Sequence, residues 1–344
     1  MKSNMKRLPA LDLIRILSIF PIVHFHSVEL VYYSDTLPIE LFSWSHAVIS
    51  SVSFSGFTLV FLFYFLLGWK QRKSASLNLK KLYFFAIGMV LLSSICVLAF
   101  GSDFILEWDI YHFLFFSFLV LKWIAPRLKV NTFTVAFWFF LTSLPYWYID
   151  YSGFGAAALL GACEGEGTGM WPLLPGMPFV IFSYSLGTIA KNHLSRMSAR
   201  LSLLFVSIGV LSLSFASAFY FRQTPVGEGF GCYIHQPSLV IWLALLLGLS
   251  ALFIGCSGVD LNQKLLKQPF FQSLTRQAWN QHFGLCYLSH WIFLFVAYLN
   301  SAFFHAHPEV FFLVPNLTFL LTNYSVGKAV SLAYEKGYFL RPSR

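Results

Sequence analysis

Residues 11–29, LDLIRILSIFPIVHFHSVE, form a mostly apolar stretch of about the length that a membrane-spanning helix needs. It nevertheless contains the ionisable residues Asp12, Arg15, His24, His26 and Glu29. An Arg or Asp at the centre of a membrane helix costs about 2.5–3.5 kcal/mol on insertion scales. Such residues within a first span therefore indicate a functional site.

Helical periodicity places four of these side chains on one face. At about 100° per residue, the step from Arg15 to His26 returns the helix to within ~20° of its starting direction and climbs about 16 Å. Asp12 with Arg15, and His26 with Glu29, are then two acid–base pairs at i, i+3 spacing on the same face. We expect His24 to lie on the opposite side.

The composition of the whole chain is that of a polytopic membrane protein. It has 344 residues, of which 57% are hydrophobic and 11% charged, and its mean hydropathy is +0.68. A soluble domain has about 25% charged residues. The net charge of +9 could suit nucleic acid, but the basic residues fall in short loops between apolar segments, as the positive-inside rule requires. We therefore predict an all-α transmembrane protein with one domain, residues 1–344, and no nucleic-acid partner.

The hydropathy and charge pattern predicts about ten transmembrane helices with both termini in the cytoplasm. The prolines at 172, 175 and 178 predict a kink or break in the first turns of the sixth helix. Cys163 and Cys232 fall in predicted outer loops, where a disulfide and two free thiols are both open. The predicted spans are residues 10–33, 46–69, 82–100, 104–124, 132–149, 171–189, 201–221, 237–254, 279–301 and 310–333.

His26 is the leading candidate for a catalytic base, because histidine titrates near neutral pH and Glu29 is placed to orient its ring. A second acid–base pair, Asp109 and His112 in EWDIYHFLF, begins the fourth span in the outer leaflet.

Further candidates lie elsewhere along the chain. His290, in YLSHW, is predicted near the middle of the membrane, and Arg222 is a basic residue at the outer surface that could hold an anion. The inner basic cluster could hold cytosolic phosphates. It comprises Lys70, Arg72, Lys73, Lys80 and Lys81.

Each candidate also has a structural interpretation. His24, His112 and His290 could be hydrogen-bonded packing residues, and Arg15 could extend to the inner surface beside Asp12. The Lys70–Lys81 cluster could be ordinary positive-inside charge, and His305 and His307 solvated loop residues.

The chain resembles the integral-membrane acyltransferases, a superfamily that includes acyltransferase family 3 and the heparan-alpha-glucosaminide N-acetyltransferase-like proteins. LDLIRILSIFPIVHFHS is similar to the family's first-helix signature, an Arg and a His with ten residues between them, which Arg15 and His26 match. Four further stretches are similar to later family segments. They are LVFLFYFLLGWK, DIYHFLFFSFLVL, WPLLPGMPFVIFSYSLG and LCYLSHWIFLF.

The resemblance implies transfer of an acyl group, usually acetyl, from cytosolic acetyl-CoA to a hydroxyl or amine of a sugar on the far side of the membrane. It implies that His26 is catalytic, either as a general base or as the residue that accepts the acyl group. The donor would bind from the inside, near Asp12, Arg15 and the Lys70–Lys81 cluster. Arg222 and His290 are then candidates for the acceptor site. Acyl-CoA is the expected co-substrate, with no metal, and the bacterial inner membrane the expected location.

Two other classes of function remain open on the sequence. The same intramembrane Arg and His residues could form a proton or anion path in a transporter or flippase, or the chain could be a non-catalytic membrane subunit. A surface glycan, a lipid-linked sugar and an exported polysaccharide all fit as acceptor. The sequence does not fix the acyl chain or the oligomeric state, for which a homodimer is one option.

Overall fold

The fold is described from a computed structural model, which covers residues 8–32, 39–70, 83–84, 87–88, 91, 110–143, 173–194, 196–223, 239–311 and 313–336. Of the residues described, 91% are helical and none is in a strand. The predicted all-α class is therefore confirmed for this part of the chain.

Thirteen α-helices are described, together with 3₁₀ turns at Ala125–Arg127 and Pro308–Val310 and a π-helical turn at Ala190–Leu194. The α-helices are α1 (Pro9–Tyr32), α2 (Ile39–Lys70), α3 (Ile110–Ile124), α4 (Thr132–Ser143), α5 (Leu173–Ile189), α6 (Ala199–Gln223), α7 (Leu239–Ser257), α8 (Val259–Leu266), α9 (Pro269–Arg276), α10 (Ala278–Gln281), α11 (Phe283–Tyr298), α12 (Ser301–Ala306) and α13 (Leu313–Glu335).

Most predicted spans coincide with one of these helices, but one predicted break and one predicted continuous span are not found. Helix α5 runs unbroken through Pro175 and Pro178. Pro175 lies in its first turn, where a backbone N–H has no intrahelical partner to lose. The predicted span 279–301 is instead divided at His282, whose φ of −132° and ψ of 40° are not helical.

Two other differences concern the predicted loops. The predicted inner loop before residue 279 contains the short helices α8 and α9, and the predicted outer loop around His305 contains α12.

Helix α2 begins at Ile39, seven residues before the predicted boundary. Of the third predicted span, residues 83–84, 87–88 and 91 are helical, and the remainder lies outside the described residues.

The chain forms two compact units. One comprises Met1–Leu11 and Gly56–Gln263, and the other comprises Asp12–Ser55 and Lys264–Arg344. We call them unit 1 and unit 2. That the chain is a single functional domain stays a prediction.

Unit 1 is built on close helix crossings and aromatic packing. A Cβ added to Gly187 of α5 would overlap the carbonyl of Phe65 on α2, and one added to Gly68 would overlap the carbonyl of Tyr184. Small residues at such crossings allow two backbones to approach, as is common among membrane helices. Phe61 of α2 is fully buried, and the centroid of its ring lies 4.9 Å from that of Phe253 on α7.

Buried polar groups in unit 1 bond to neighbouring segments. Trp242 of α7 donates its indole N–H to the carbonyl of Thr142 on α4 at 2.6 Å. Asn262 of α8 accepts from the backbone N–H of Ala10 at 3.1 Å, which gives one N–H at the start of α1 a partner.

Two of the described helices are long and apolar enough to be candidate membrane spans. They are Ala199–Ser217 within α6, with a hydropathy of 1.8, and Val240–Ser257 within α7, with a hydropathy of 2.3. Helix α6 also exposes large apolar side chains; Leu211, for example, is 70% exposed. An extended apolar surface of this kind is unusual on a soluble monomer.

The Gly187 crossing gives a direct test of the packing in unit 1. We expect Gly187→Ala to destabilise the protein by about 1–3 kcal/mol, because the added methyl group meets a backbone carbonyl that cannot rotate away. Thermal unfolding of the purified protein in detergent measures this.

Gly327→Ala in α13 is the matched control. Its added Cβ would lie 3.9 Å from the Cβ of Ala278, an ordinary van der Waals contact, and alanine favours a helix over glycine by up to about 1 kcal/mol. Equal melting temperatures for the two variants would contradict the described crossing.

Candidate functional site

Arg15 lies in α1 and is bound on the protein side rather than left to solvent. Its Nη1 donates to the backbone carbonyl of Asn280 at 2.8 Å and lies 3.5 Å from Oδ1 of Asp12. The two charged side chains are only 18% and 13% exposed. The predicted i, i+3 pair is therefore present.

His26, eleven residues further along α1, is half-buried among aromatic side chains of α11. The centroid of its ring lies 4.5 Å from that of Trp291, 5.6 Å from that of His290 and 6.3 Å from that of Tyr287. The hydroxyl of Tyr287 is 3.5 Å from Nε2 of His26. These side chains, His26, Tyr287, His290 and Trp291, are called the His26 cluster below.

Arg15 and His26 thus contact the same part of the chain. Arg15 contacts Asn280, and His26 contacts Tyr287, His290 and Trp291. Since all of these residues lie within residues 280–291 of unit 2, the prediction from helical periodicity that Arg15 and His26 share one face of α1 is confirmed.

His290 is fully buried in α11, and its ring is enclosed by aromatic neighbours. Its Nδ1 bonds to the backbone carbonyl of Tyr287. Its ring centroid lies 4.9 Å from that of Tyr287, 5.1 Å from that of Trp291 and 6.3 Å from that of Trp279. The sequence placed His290 alone within a span, whereas the structure places it next to His26.

Asn323 of α13 fixes the segment that faces Arg15. Its side-chain oxygen accepts from the backbone N–H groups of Ala278, at 2.8 Å, and Trp279, at 3.4 Å. Its amide nitrogen donates to Oε1 of Gln277 at 2.5 Å. Asn323 therefore caps the N-terminus of α10 from another helix. By holding this short helix in place it also positions Asn280, whose backbone carbonyl accepts from Arg15.

Trp279 secures the same segment by packing. Its indole N–H donates to the carbonyl of Phe319 at 3.1 Å, and the two rings stack with centroids 5.3 Å apart. Phe319 also packs edge-on against Phe20 of α1, at 5.9 Å. Helix α13 therefore contacts both α1 and the segment that α1 faces.

His24, two residues before His26 on α1, is fully buried. That His24 lies on the opposite face of α1 and has a packing role stays a prediction.

The structure brings together only some of the predicted site residues. Glu29, His112 and Arg222 lie on α1, α3 and α6, and their side chains are not among those described. Lys70 is exposed at the end of α2. Outside the described residues lie Arg72, Lys73, Lys80, Lys81, Asp109, Cys163 and Cys232.

Sequence reasoning missed Tyr287, Trp291 and Asn323. Tyr287, His290 and Trp291 stand at i, i+3 and i+4, a spacing that places them on one helical face and could have identified the cluster. No comparable signal marks Asn323, because its partners are separated from it by more than forty residues.

Comparisons with protein-family models, with curated proteins and with solved structures found no match. Among the described side chains, no three His, Cys, Asp or Glu residues converge as metal ligands would.

The role of Asn323 can be tested by substitution. We expect Asn323→Leu to lower the free energy of unfolding by about 2 kcal/mol, because it leaves the N–H groups at the start of α10 without their acceptor. Asn323→Asp retains a side-chain oxygen for those groups and loses only the donor to Gln277, so we expect it to be the milder change. Denaturation of both variants measures this, and equal losses would contradict the capping role.

Proposed function

We propose that this protein is a membrane-bound acyltransferase that moves an acyl group, most simply acetyl, from cytosolic acyl-CoA to a hydroxyl or amine of an extracytoplasmic or lipid-linked sugar. The observation that carries the proposal is the placement of Arg15 and His26 on one face of α1, against one segment of unit 2. One helix thereby offers a cation and a base about 16 Å apart along its axis. A long, thin co-substrate such as acyl-CoA needs that separation between its charged and reactive ends.

His26 is the proposed general base. Its ring is half-buried, which leaves it reachable by a substrate, and aromatic side chains hold it in place. His26 would remove the proton of the acceptor hydroxyl while the oxygen attacks the thioester carbon. The carbon–sulfur bond then breaks, and the CoA thiolate leaves and takes the proton back from the imidazolium.

Arg15 is the proposed anchor for the donor. A guanidinium held at low exposure attracts an anion more strongly than one in water, because the surrounding dielectric constant is lower. The bond to the carbonyl of Asn280 and the pair with Asp12 fix its position before the donor arrives. In this proposal the inner basic residues Lys70, Arg72, Lys73, Lys80 and Lys81 neutralise the CoA phosphates.

The proposal includes a membrane arrangement of ten spans, with both termini in the cytoplasm of a bacterial cell. The two candidate spans and the exposed apolar surface of α6 support a membrane location. The arrangement places Arg15 towards the cytoplasm and His26 towards the outside. Asp109, His112 and Arg222 would then also lie on the outer side, where the acceptor approaches.

Similarity to the integral-membrane acyltransferases is part of the same proposal. It depends on the ten residues between Arg15 and His26 and on the Tyr287–His290 spacing in LCYLSHWIFLF.

Acetyl-CoA turnover by the purified protein tests the role of His26. We expect His26→Ala to reduce hydrolysis or transfer of the acetyl group by about 10²–10⁴-fold, the usual contribution of a general base. His24→Ala is the control, since His24 lies two residues away and outside the His26 cluster. Undiminished turnover by a folded His26→Ala variant would rule out the proposed chemistry.

Binding of CoA tests the role of Arg15. We expect Arg15→Ala to weaken CoA binding by tenfold or more, as loss of a charge-assisted contact with a phosphate would do. Isothermal titration calorimetry measures the dissociation constant. An unchanged affinity would show that the donor does not bind at Arg15.

A further inference from the structure

Two buried polar atoms of the His26 cluster have no hydrogen-bond partner in the described part of the chain. They are Nε2 of His290 and Nε1 of Trp291. The two side chains are 0% and 2% exposed. Buried polar atoms in native proteins are nearly always hydrogen-bonded, so two adjacent exceptions indicate a missing ligand or water.

The two atoms are chemically different. Nδ1 of His290 bonds to a carbonyl oxygen, which can only accept, so Nδ1 carries the proton and Nε2 of the neutral ring is an acceptor. Nε1 of Trp291 is a donor and cannot accept. A group that satisfies both atoms must donate one hydrogen bond and accept another, which is what a hydroxyl does.

His290 and Trp291 both lie close to His26, the proposed general base. The rings of His290 and Trp291 lie 5.6 Å and 4.5 Å from the ring of His26, measured between centroids. Rings this close can contact two hydroxyl groups of one small acceptor at once, and a vicinal diol is the simplest molecule that carries both. His26 would act on one hydroxyl, and His290 with Trp291 would hold the next.

We propose that His290 and Trp291 form a binding site for a second hydroxyl of the acceptor, so that the acceptor is a vicinal diol of the kind that sugars contain. This inference rests on the proposed acyltransferase function and narrows its substrate class. Trp291 and His290 are binding residues here, and His26 alone handles the transferred proton.

A pair of simple alcohols tests the proposal with purified protein in a detergent that has no hydroxyl groups. The acceptors are 1,2-octanediol and 1-octanol, with labelled acetyl-CoA as donor. We expect kcat/KM for the diol to exceed that for 1-octanol by about tenfold or more, because the single alcohol leaves both buried atoms without a partner. This comparison needs no variant.

Trp291→Phe should bring the diol-to-octanol ratio close to one, because it keeps an aromatic ring beside His26 but removes the donor. Trp279→Phe is the matched control: its indole N–H already bonds to the carbonyl of Phe319, so we expect the ratio to stay at the wild-type value.

The outcomes separate this inference from the proposed function. Two results would overturn the diol site: equal use of the two alcohols by the wild type, or hydrolysis of acetyl-CoA with transfer to neither alcohol. In both cases acetyl-CoA is still turned over, so the proposed acyltransferase function would stand. The same ratio in wild type and Trp291→Phe would overturn the assignment of Trp291 to the second hydroxyl. Absence of any acetyl-CoA turnover would overturn both proposals.

Discussion

The burial of polar and charged side chains in an apolar helical protein is the constraint on which this structure depends. A charge or hydrogen-bonding group removed from water must find a partner, or it costs several kcal/mol. Helix α1 meets this requirement on one face: Arg15 binds Asp12 and the backbone of Asn280, and His26 lies against Tyr287, His290 and Trp291.

The segment opposite α1 is irregular for the same reason. A straight helix through residues 278–301 would bond its carbonyls internally and would leave none directed at Arg15. The interruption at His282 and the short helix α10 change the backbone direction there, and Asn323 supplies partners for N–H groups at the start of α10. Irregular backbone is tolerated in a membrane protein where it lines a site inside the protein.

Much of the fold and part of the site followed from sequence pattern. Apolar composition predicted an all-α protein, and the 3.6-residue period predicted that Arg15 and His26 share a face. The division at His282 and the Asn323 contacts could not be predicted, because they depend on residues far apart in the chain. The prolines misled the prediction of a break, because Pro175 lies in the first turn of α5, where no intrahelical bond is lost, and the helix continues through Pro178. The sequence also named His290 as a candidate, but its closeness to His26 required the structure.

An experimental structure with a non-hydrolysable acetyl-CoA analogue would test most directly whether α1 holds the donor along its Arg15–His26 face. We expect the acetyl end of the analogue within contact distance of His26 and Trp291, and its charged end on the Arg15 side. An analogue bound elsewhere, with its acetyl end away from His26, would contradict the proposed site.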